Sequence, residues 1–310
     1  MTGPDCVFAN GPSAGRKLSE VWPEMPVDWS GRTSEPGGDF PLLVKFIFTE
    51  EKLSVQVHPG DEYAAVHERA AGGRGKTEMW YALEARPGAE VMVGLKPTVT
   101  REAFERALAD GTAENCIEHI PVRTGDAIFV PAGTAHTIGP GLTLCEIQQQ
   151  SDLTYRVYDY NRLDARGRSR PLHIEKALTV MRFGKQFGGK IQPAQIARGS
   201  IKKTYFAACR YFVTDRWESS ERVSANTSGE HFDILIFLEG RGCISWGSER
   251  AAYEPPQVWI IPAALGSYHL EPQSRTTVMR TFVPGDLRKV TQTLAEEGVG
   301  EADRSRLIHA

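Results

Sequence analysis

The stretch LSVQVHP, residues 53–59, places polar side chains at every second position of a predicted β-strand. Apolar residues alternate with Ser54, Gln56 and His58, so these three side chains would lie on one face of the strand. The preceding stretch FPLLVKFIF, residues 40–48, is strongly apolar and predicts a buried strand. A hydroxyl, an amide and an imidazole on one strand face in a buried neighbourhood indicate a functional site rather than a solvated surface.

A second motif supplies another imidazole. The stretch GDAIFVPAGTAH fits the pattern G-x5-P-x-G-x2-H and ends at His136, while KTEMWY contributes the carboxylate of Glu78. Together with Gln56 and His58, these residues would offer two imidazoles, a carboxylate and an amide oxygen to one divalent cation, and zinc is the metal that this donor set favours. An open coordination position would hold water or substrate, which is typical of a catalytic site.

Single residues of this set also have structural explanations. A lone buried histidine or glutamine is usually a hydrogen-bonded core residue, and the G-x5-P-x-G-x2-H pattern also occurs in proteins without a metal. The prediction of a metal site therefore depends on the combination of His136 with Gln56, His58 and Glu78.

The composition of the chain is that of an ordinary globular protein. Hydrophobic residues make up 41% and charged residues 24% of the 310 residues, and the formal net charge is −3. Because no long basic run is present, neither a nucleic acid nor an anionic membrane is predicted as a partner. The N-terminal stretch lacks the pattern of a signal peptide, and no apolar run approaches the roughly 18 residues that a membrane helix needs. The five cysteines lack CxxC spacing and are predicted to be reduced thiols of a cytoplasmic protein: Cys6, Cys116, Cys145, Cys209 and Cys243.

The elements that must position these residues are mostly strands. Short strand-like segments separated by Gly- and Pro-rich turns dominate the chain, which favours sandwiches or small barrels. The most clearly bounded helix begins after Thr100, a predicted N-cap, and ends at Gly111. Three more helices are predicted at 61–70, from about His173, and at 286–297, the last followed by a frayed tail.

A weak internal repeat predicts two related β domains. Residues 126–138 and 257–270 each combine a strand, a Pro-Ala pair, a turn of small residues and another strand. The first copy carries His136 five residues after its proline, whereas the second carries Ser267, so the metal site is predicted in the first domain alone. The predicted boundaries are 1–182 for the catalytic domain, 183–199 for a connector, and 200–310 for a metal-free second domain with a C-terminal helix.

Several stretches are similar to a known family. The G-x5-P-x-G-x2-H pattern resembles the second signature of the cupin barrel, a small antiparallel jelly roll. The chain resembles type I mannose-6-phosphate isomerase, in its short bacterial form, in four stretches: FPLLVKFIFTEEKLSVQVHPGDEYA, GKTEMWYAL, VPAGTAHTIG and EIQQQSDLTYRVYDYNR. The resemblance runs from about residue 40 to residue 173 and continues more weakly in FLEGRG and IIPA. It implies a mainly β protein with two cupin-like jelly-roll β-barrel domains and a few helices.

The resemblance also implies an activity and a cofactor. Members of the family interconvert mannose 6-phosphate and fructose 6-phosphate with a bound zinc, so the chain is expected to be a zinc-dependent aldose–ketose isomerase of carbohydrate metabolism. The family's ligands fall on Gln56, His58, Glu78 and His136, the residues that spacing already selects, and imply one Zn²⁺ per chain. A hexose 6-phosphate is the expected partner, and no obligate protein partner is implied.

Other family positions imply roles around the metal. Moving a carbonyl between C1 and C2 needs a base that transfers a proton and cations that stabilise the enediolate oxygen. Arg156 and Glu146 match active-site residues of the family and are the catalytic candidates, together with Lys76, which lies two residues before Glu78. The candidate substrate contacts are Lys45, Ser54 and Arg162. Without the resemblance, Glu146 would equally fit a solvated strand carboxylate and Arg156 a surface residue.

The N-terminal region departs from the family. GRKLSEVWPEMP lacks the preceding Trp-Gly that helps to wall the family's site, and the helical insertion of longer relatives is absent, so sugar specificity is less firmly implied than metal binding. Two other classes remain open. An iron-dependent cupin oxygenase would use two histidines and one carboxylate without Gln56 as a ligand, and a non-catalytic sugar-binding cupin would keep the pocket without turnover.

Overall fold

The computed structural model describes residues 5–163, 166–184 and 187–309. Strands make up most of its regular structure, which confirms the prediction of a mainly β protein. The α-helices in the described residues are α1 (Leu18–Val21), α2 (Val27–Ser30), α3 (Asp61–His67), α4 (Arg101–Ala109), α5 (Ile174–Val180), α6 (Leu287–Glu296) and α7 (Glu301–Leu307). Short 3₁₀ helices cover Trp22–Glu24, Arg69–Ala71 and Ala113–Cys116. None of the described helices is long and apolar enough to span a membrane.

The predicted helices are present where local signals are strong. The Thr100 hydroxyl caps α4 by accepting a hydrogen bond from the backbone N–H of Ala103 at 3.2 Å, and Gly111 beyond the helix adopts a φ of +69°. The other three predicted helices correspond to α3, α5 and α6. The predicted frayed tail is wrong, because α7 follows α6 and buries Leu307 in a core cluster that also contains Leu294.

The first compact unit spans Leu42–Ile191. Its described strands are β1 (Leu42–Thr49), β2 (Val55–Val57), β3 (Glu78–Ala85), β4 (Glu90–Leu95), β5 (Ile117–Pro121), β6 (Ala127–Val130), β7 (His136–Ile138), β8 (Leu142–Gln149), β9 (Tyr155–Tyr158) and β10 (Gly189–Lys190). They form two antiparallel sheets, in the orders β1-β8-β3-β6-β10 and β5-β4-β7-β2-β9. Apolar side chains from both sheets share one core, among them Trp80, Ile128, Leu144, Val91 and Val93. This is the two-sheet arrangement of a jelly roll.

The second compact unit contains the N-terminal segment up to Pro41 and Gln192–Ala310. Its described strands are β11 (Ala194–Arg198), β12 (Ile201–Cys209), β13 (Val213–Ser219), β14 (Val223–Asn226), β15 (Asp233–Glu239), β16 (Gly242–Trp246), β17 (Glu249–Tyr253), β18 (Val258–Ile261), β19 (Ser267–Pro272), β20 (Thr276–Phe282) and β21 (Ile308–His309). The larger sheet has the order β11-β12-β13-β20-β15-β18, with β21 beside β12. The smaller sheet has the order β14-β19-β16-β17.

The predicted domain boundaries differ from these units in two respects. The N-terminal segment groups with the second unit, where the Trp22 ring packs edge-on against Phe40 and Phe232 with centroids 4.8 Å away in both cases. The predicted connector 183–199 contains β10, which pairs with β6 of the first unit, and β11, which pairs with β12 of the second. Composition could not indicate either feature, because each depends on contacts with residues far along the chain.

The strand that was predicted to be buried, at residues 40–48, is only partly buried. Among the described strands, β1 lies at the edge of its sheet and pairs with β8 alone. The side chain of Phe48 is consequently 73% exposed. A continuous apolar run does not distinguish an edge strand from a central one, because that difference depends on the order of strands in the sheet.

The two units repeat one feature of strand pairing. Gln56 pairs with His136 in the first unit, and Asn226 pairs with Ser267 in the second. His136 and Ser267 each lie five residues after the proline of the sequence repeat. The second unit therefore carries an amide and a hydroxyl where the first carries an amide and an imidazole.

A partly buried guanidinium balances two buried carboxylates in the second unit. Arg280 on β20 donates hydrogen bonds to both oxygens of Asp215, from Nε at 3.1 Å and from Nη2 at 2.8 Å. Its Nη1 lies 3.9 Å from Oδ2 of Asp233, which also accepts a hydrogen bond from the Tyr268 hydroxyl at 3.4 Å. Both carboxylates are at most 1% exposed. The stability of this unit therefore depends on the charge of Arg280.

Replacing Arg280 by Met is expected to lower the free energy of unfolding by about 3–5 kcal/mol, because it leaves buried negative charge without a partner. Chemical denaturation followed by tryptophan fluorescence measures the change. Arg250→Met is the matched control, since the Arg250 side chain is 62% exposed in its ion pair with Glu271, and it should leave stability nearly unchanged. A loss below about 1 kcal/mol for Arg280→Met, the scale of a surface ion pair, would contradict this account of the cluster.

Candidate metal centre and active site

Strand register gathers five polar or aromatic side chains on the inward face of one sheet. Glu146 on β8 pairs with Lys45 on β1 and with Trp80 on β3. Two residues further along β8, Gln148 pairs with Glu78. Paired residues of antiparallel strands point to the same side of the sheet, as do alternate residues of one strand. The register therefore decides that all five side chains share a face.

The second sheet contributes residues from the stretch that first indicated a site. Gln56 on β2 pairs with His136 on β7 and with Arg156 on β9. Ser54 and His58 flank β2 and are 4% and 1% exposed, so the predicted polar set is turned inward. A central position in the sheet explains why this polar face is buried.

Four predicted metal ligands come together between the sheets. Nε2 of His58 lies 2.8 Å and Nε2 of His136 lies 3.5 Å from Oε1 of Glu78. Ligand atoms of these three residues all lie within 4.8 Å of one another, and each residue is at most 1% exposed. The amide nitrogen of Gln56 is 3.3 Å from Nε2 of His136. The spacing argument therefore selected residues that are neighbours in space.

Backbone carbonyls decide which ring nitrogens carry hydrogen. Nδ1 of His58 lies 2.6 Å from the carbonyl oxygen of Leu153, and Nδ1 of His136 lies 2.9 Å from that of Thr134. Because a carbonyl oxygen only accepts, each Nδ1 donates its hydrogen. Burial lowers the pKa of His58 and lowers the pKa of His136 to about 3, so both rings are neutral. Each ring therefore turns the lone pair of Nε2 toward Glu78.

Oε1 of Glu78 is left unsatisfied by this arrangement. It is buried and has no hydrogen-bond partner among the described residues, although Nε2 of His58 is only 2.8 Å away. Burial acts to raise the pKa of Glu78, but the Lys76 ammonium and the interactions with His58 and Glu146 together outweigh it and hold the pKa well below its usual range, so the carboxylate is charged. Two imidazole lone pairs and an anionic oxygen converge here beside the Lys76 ammonium, 3.5 Å from Oε1, and they form the donor set that a divalent cation prefers. The residues present therefore fit a divalent metal ion.

Lys76 lies two residues before the start of β3 and lines the cluster beside Glu78. Its Nζ lies 3.3 Å from Nε2 of His58 and 3.5 Å from Oε1 of Glu78, and the residue is only 6% exposed. Burial acts to lower the pKa of Lys76, but the carboxylates of Glu78 and Glu146 outweigh it and raise the pKa. The site therefore contains a buried ammonium in addition to the metal ligands.

Trp80 joins two carboxylates and was missed by sequence reasoning. Its Nε1–H donates to Oε2 of Glu78 and to Oε1 of Glu146, each at 3.1 Å. Burial and the charge of Glu78 raise the pKa of Glu146 to about 8. Since Glu146 is only 4% exposed, the alternative of a solvated strand carboxylate is wrong. Trp80 lies two residues after Glu78, so strand alternation alone could have indicated it.

Lys45 reaches the site from the edge strand β1. Its Nζ donates a hydrogen bond to Oε1 of Gln148 at 3.2 Å and lies 3.5 Å from Oδ1 of Asp152. The Lys45 side chain is 36% exposed, so its ammonium contacts both the polar interior and water. Asp152 was also missed, because it lies in the irregular segment after β8, where no periodic pattern applies.

Arg156, on β9, lies beside Ser54, which directly precedes the neighbouring strand β2. Its Nε donates to the hydroxyl of Ser54 at 3.2 Å, and its Nη1 donates to the carbonyl oxygen of Pro171 at 3.1 Å. The two residues were predicted separately, and the structure brings them into contact.

Arg162, the remaining predicted substrate contact, makes its hydrogen bonds to Asp159 and Lys52. Its Nε and Nη2 donate to the backbone and the carboxylate of Asp159 at 3.2 and 2.5 Å, and its Nη1 donates to the carbonyl oxygen of Lys52 at 2.6 Å. Asp159 also accepts a hydrogen bond from Arg170. The guanidinium therefore holds the segment after β9, a role that no sequence spacing indicates.

A jelly roll that encloses a histidine, glutamate and histidine cluster, compatible with a metal site, places the first unit among the cupin-like proteins. No protein-family model matches the chain. The mannose-6-phosphate isomerase of Streptococcus mutans is 35% identical over 265 residues, which cover 86% of this chain and 81% of that protein. A mannose-6-phosphate isomerase of Bacillus subtilis is also 35% identical, over 266 residues that cover 86% and 82% of the two chains. The protein belongs to the mannose-6-phosphate isomerase family.

Solved structures agree with this assignment. The crystal structure of the mannose 6-phosphate isomerase from Bacillus subtilis matches with a TM-score of 0.80 and 30% identity, covering 89% of this chain and 84% of that one. A mutant phosphomannose isomerase from Salmonella typhimurium matches with a TM-score of 0.67 at 14% identity, which shows the fold alone. The resemblance identified from sequence motifs is therefore confirmed.

Proposed function

We propose that this protein is a zinc-dependent aldose–ketose isomerase that interconverts mannose 6-phosphate and fructose 6-phosphate in the cytoplasm. The observation that carries the proposal is the convergence of ligand atoms of His58, Glu78 and His136 within 4.8 Å in a chain of this family. The reaction needs only a small-molecule substrate, so no nucleic acid, membrane or second protein takes part.

One zinc ion per chain would be held by His58, Glu78 and His136, with the amide oxygen of Gln56 as a further ligand. The Gln56 amide faces His136, and turning the amide over exchanges its nitrogen for its oxygen. Neutral imidazoles and a carboxylate are ligands that zinc prefers. When bound, the zinc ion supplies Lewis acidity toward a sugar oxygen.

The isomerisation moves one hydrogen from C2 to C1 and one from O2 to O1 of the sugar. In its ionised form, whose share grows as the pH rises through its pKa of about 8, Glu146 takes the proton from C2 of the aldose, and the electrons of the broken C–H bond form the double bond of an enediolate. Return of the proton to C1, together with transfer of the hydroxyl hydrogen from O2 to O1, completes the ketose. The Trp80 Nε1–H, 3.1 Å from Oε1 of Glu146, holds this carboxylate beside the metal ligand Glu78. The buried ammonium of Lys76 stabilises the enediolate oxygen.

Lys45, Ser54 and Arg156 supply charge and a hydroxyl for substrate binding. Arginine stays protonated and offers a fixed donor fork that suits a phosphate or an enediolate oxygen. Arg156 extends from β9 beside Gln56, so its guanidinium belongs to the same face as the metal ligands. Arg162 is committed to Asp159 and Lys52 and contributes by holding the segment after β9.

Truncation of Arg156 to Ala is expected to lower kcat/KM by on the order of 10²-fold or more, about 2.7 kcal/mol of lost transition-state stabilisation. Zinc content and thermal stability should stay close to those of the wild type, because Arg156 lies outside the metal ligands. A loss in kcat would assign the guanidinium to the enediolate, whereas a rise in KM would assign it to the phosphate. Steady-state kinetics with mannose 6-phosphate separate the two.

Arg86→Ala is the matched control, since Arg86 makes an ion pair with Glu50 in which both side chains are well exposed. It should leave both kinetic constants unchanged. A folded, zinc-loaded Arg156→Ala protein with wild-type kcat and KM would contradict the assigned role.

The test of the proposal is a coupled assay of the conversion of mannose 6-phosphate to fructose 6-phosphate, with and without a chelator. Activity that chelation removes and added zinc restores is the expected result. His58, His136 and Glu78 by themselves are also the two-histidine, one-carboxylate set of iron(II) oxygenases. Iron rather than zinc in the purified protein, together with no isomerase turnover, would overturn the proposal in favour of an oxygenase.

A further inference from the structure

Gln148 lies between the metal ligands and Lys45 and is not assigned to either the metal or the substrate. Its Cα pairs with that of Glu78, and its side chain is fully buried. Its Oε1 accepts a hydrogen bond from Nζ of Lys45 at 3.2 Å. A buried side chain in this position can control where the lysine ammonium lies.

The orientation of the Gln148 amide is dictated by its surroundings. The amide nitrogen donates to the carbonyl oxygen of Gln149 at 2.9 Å and to that of Ser151 at 2.7 Å. Carbonyl oxygens only accept hydrogen bonds, so the nitrogen must face them and the oxygen must face Lys45. With both N–H groups bound to backbone, the amide has one orientation available, and its oxygen is a fixed acceptor.

The Lys45 ammonium makes one further side-chain contact within the described residues. Its second contact is Oδ1 of Asp152 at 3.5 Å, and the two side chains are 36% and 45% exposed, so solvent screens this ion pair. A lysine side chain that is not anchored samples many rotamers, and ordering it costs up to about 2 kcal/mol. Gln148 is therefore the buried contact that orders Lys45 before a ligand arrives.

We infer that Gln148 is a positioning residue, which holds the Lys45 ammonium ready for an anionic oxygen of the substrate. The inference rests on the proposed hexose 6-phosphate isomerase activity. Asp152 already offsets part of the positive charge of Lys45, and a neutral amide oxygen accepts from one of the three N–H groups of the lysine while leaving the remaining positive charge for the ligand. A carboxylate in the same place would neutralise that charge, which accounts for an amide here.

The decisive experiment is a double-mutant cycle that combines Gln148→Met with Lys45→Met. Methionine keeps the length of the glutamine side chain but cannot accept the lysine hydrogen bond. Gln148→Met is expected to raise KM for mannose 6-phosphate about tenfold, equivalent to about 1.4 kcal/mol, with kcat within about threefold of wild type and zinc content unchanged. In the Lys45→Met background the same change should have no further effect on KM, because the group that Gln148 positions is gone. Gln150→Met, the same substitution two residues along the chain, is the matched control.

A second readout does not depend on turnover. Acetylation of Lys45 by acetic anhydride, followed by mass spectrometry, should be several-fold faster in Gln148→Met than in the wild type or Gln150→Met, because the amine is no longer held. If Gln148→Met does not fold, Gln148→Asn, which keeps the amide but withdraws it by one methylene, is used with the same expectations. Additive effects on KM in the cycle, or equal acetylation rates, would overturn the inference. Faster acetylation in a protein whose wild type shows no isomerase activity would support the anchoring of Lys45 and overturn the proposed function instead.

Discussion

Replacing Glu146 by Gln is expected to lower kcat for mannose 6-phosphate isomerisation by roughly 10²–10⁴-fold, the range found when a general base is removed. The amide preserves the shape of the side chain and still accepts the hydrogen bond from the Trp80 indole, but it does not take a proton from carbon. KM and zinc content should change little, because Glu146 is not among the metal ligands. Deuterium incorporation into the sugar from D₂O, followed by NMR, should slow by the same factor.

The matched control for this variant is Glu84→Gln, which alters an exposed glutamate on the same strand as Glu78. It should leave kcat and deuterium incorporation at wild-type values. Unchanged deuterium incorporation and kcat in a folded, zinc-loaded Glu146→Gln protein would assign the proton transfer to a different group.

Removing both imidazoles, by combining His58→Ala with His136→Ala, is expected to abolish zinc binding and all measurable isomerase activity. The double variant keeps only the carboxylate of Glu78 and the amide of Gln56, which are too few ligands for a tight zinc site. Elemental analysis of protein purified without chelators should fall from about one zinc per chain to about none. Each lost ring also opens a buried cavity, so circular dichroism must first establish that the variant is folded.

His119→Ala is the control for the loss of a histidine elsewhere in the first unit. The His119 ring is 41% exposed and bonds through Nδ1 to Glu90 at 3.0 Å. This variant should retain its zinc and its activity. Full zinc retention in the double variant, or about two zinc ions per chain in the wild type, would show that the metal lies elsewhere.

Local sequence patterns were sufficient to select the candidate metal ligands. Gln56 and His58 followed from strand alternation, His136 from the spacing of glycine and proline before it, and Glu78 from its place at the start of a predicted strand. The structure brings the ligand atoms of the histidines and the glutamate within 4.8 Å. The helix after Thr100 was predicted equally well, because its cap and its terminal glycine are properties of a few neighbouring residues.

Residues whose role depends on the order of the strands could not be predicted in the same way. The direction of Lys45 was undetermined by alternation across the turn before β2, and the structure turns it toward Gln148, 103 residues away in the chain. Arg162 was predicted as a substrate contact, and its hydrogen bonds to Asp159 and to the backbone of Lys52 were not indicated by any spacing. Asp152 was missed because the segment that carries it has no periodic pattern.

The sequence by itself determined which side chains share a strand face, because the alternation of side chains is imposed by backbone geometry over a few residues. It also determined the donor types that favour a divalent metal, since these are properties of the residues themselves. Tertiary structure decided which faces meet: β1 beside β8, the N-terminal segment with the second unit, and Gln148 against Lys45. These pairings join residues far apart in the chain, and their register is set by the burial of whole apolar faces rather than by any local signal.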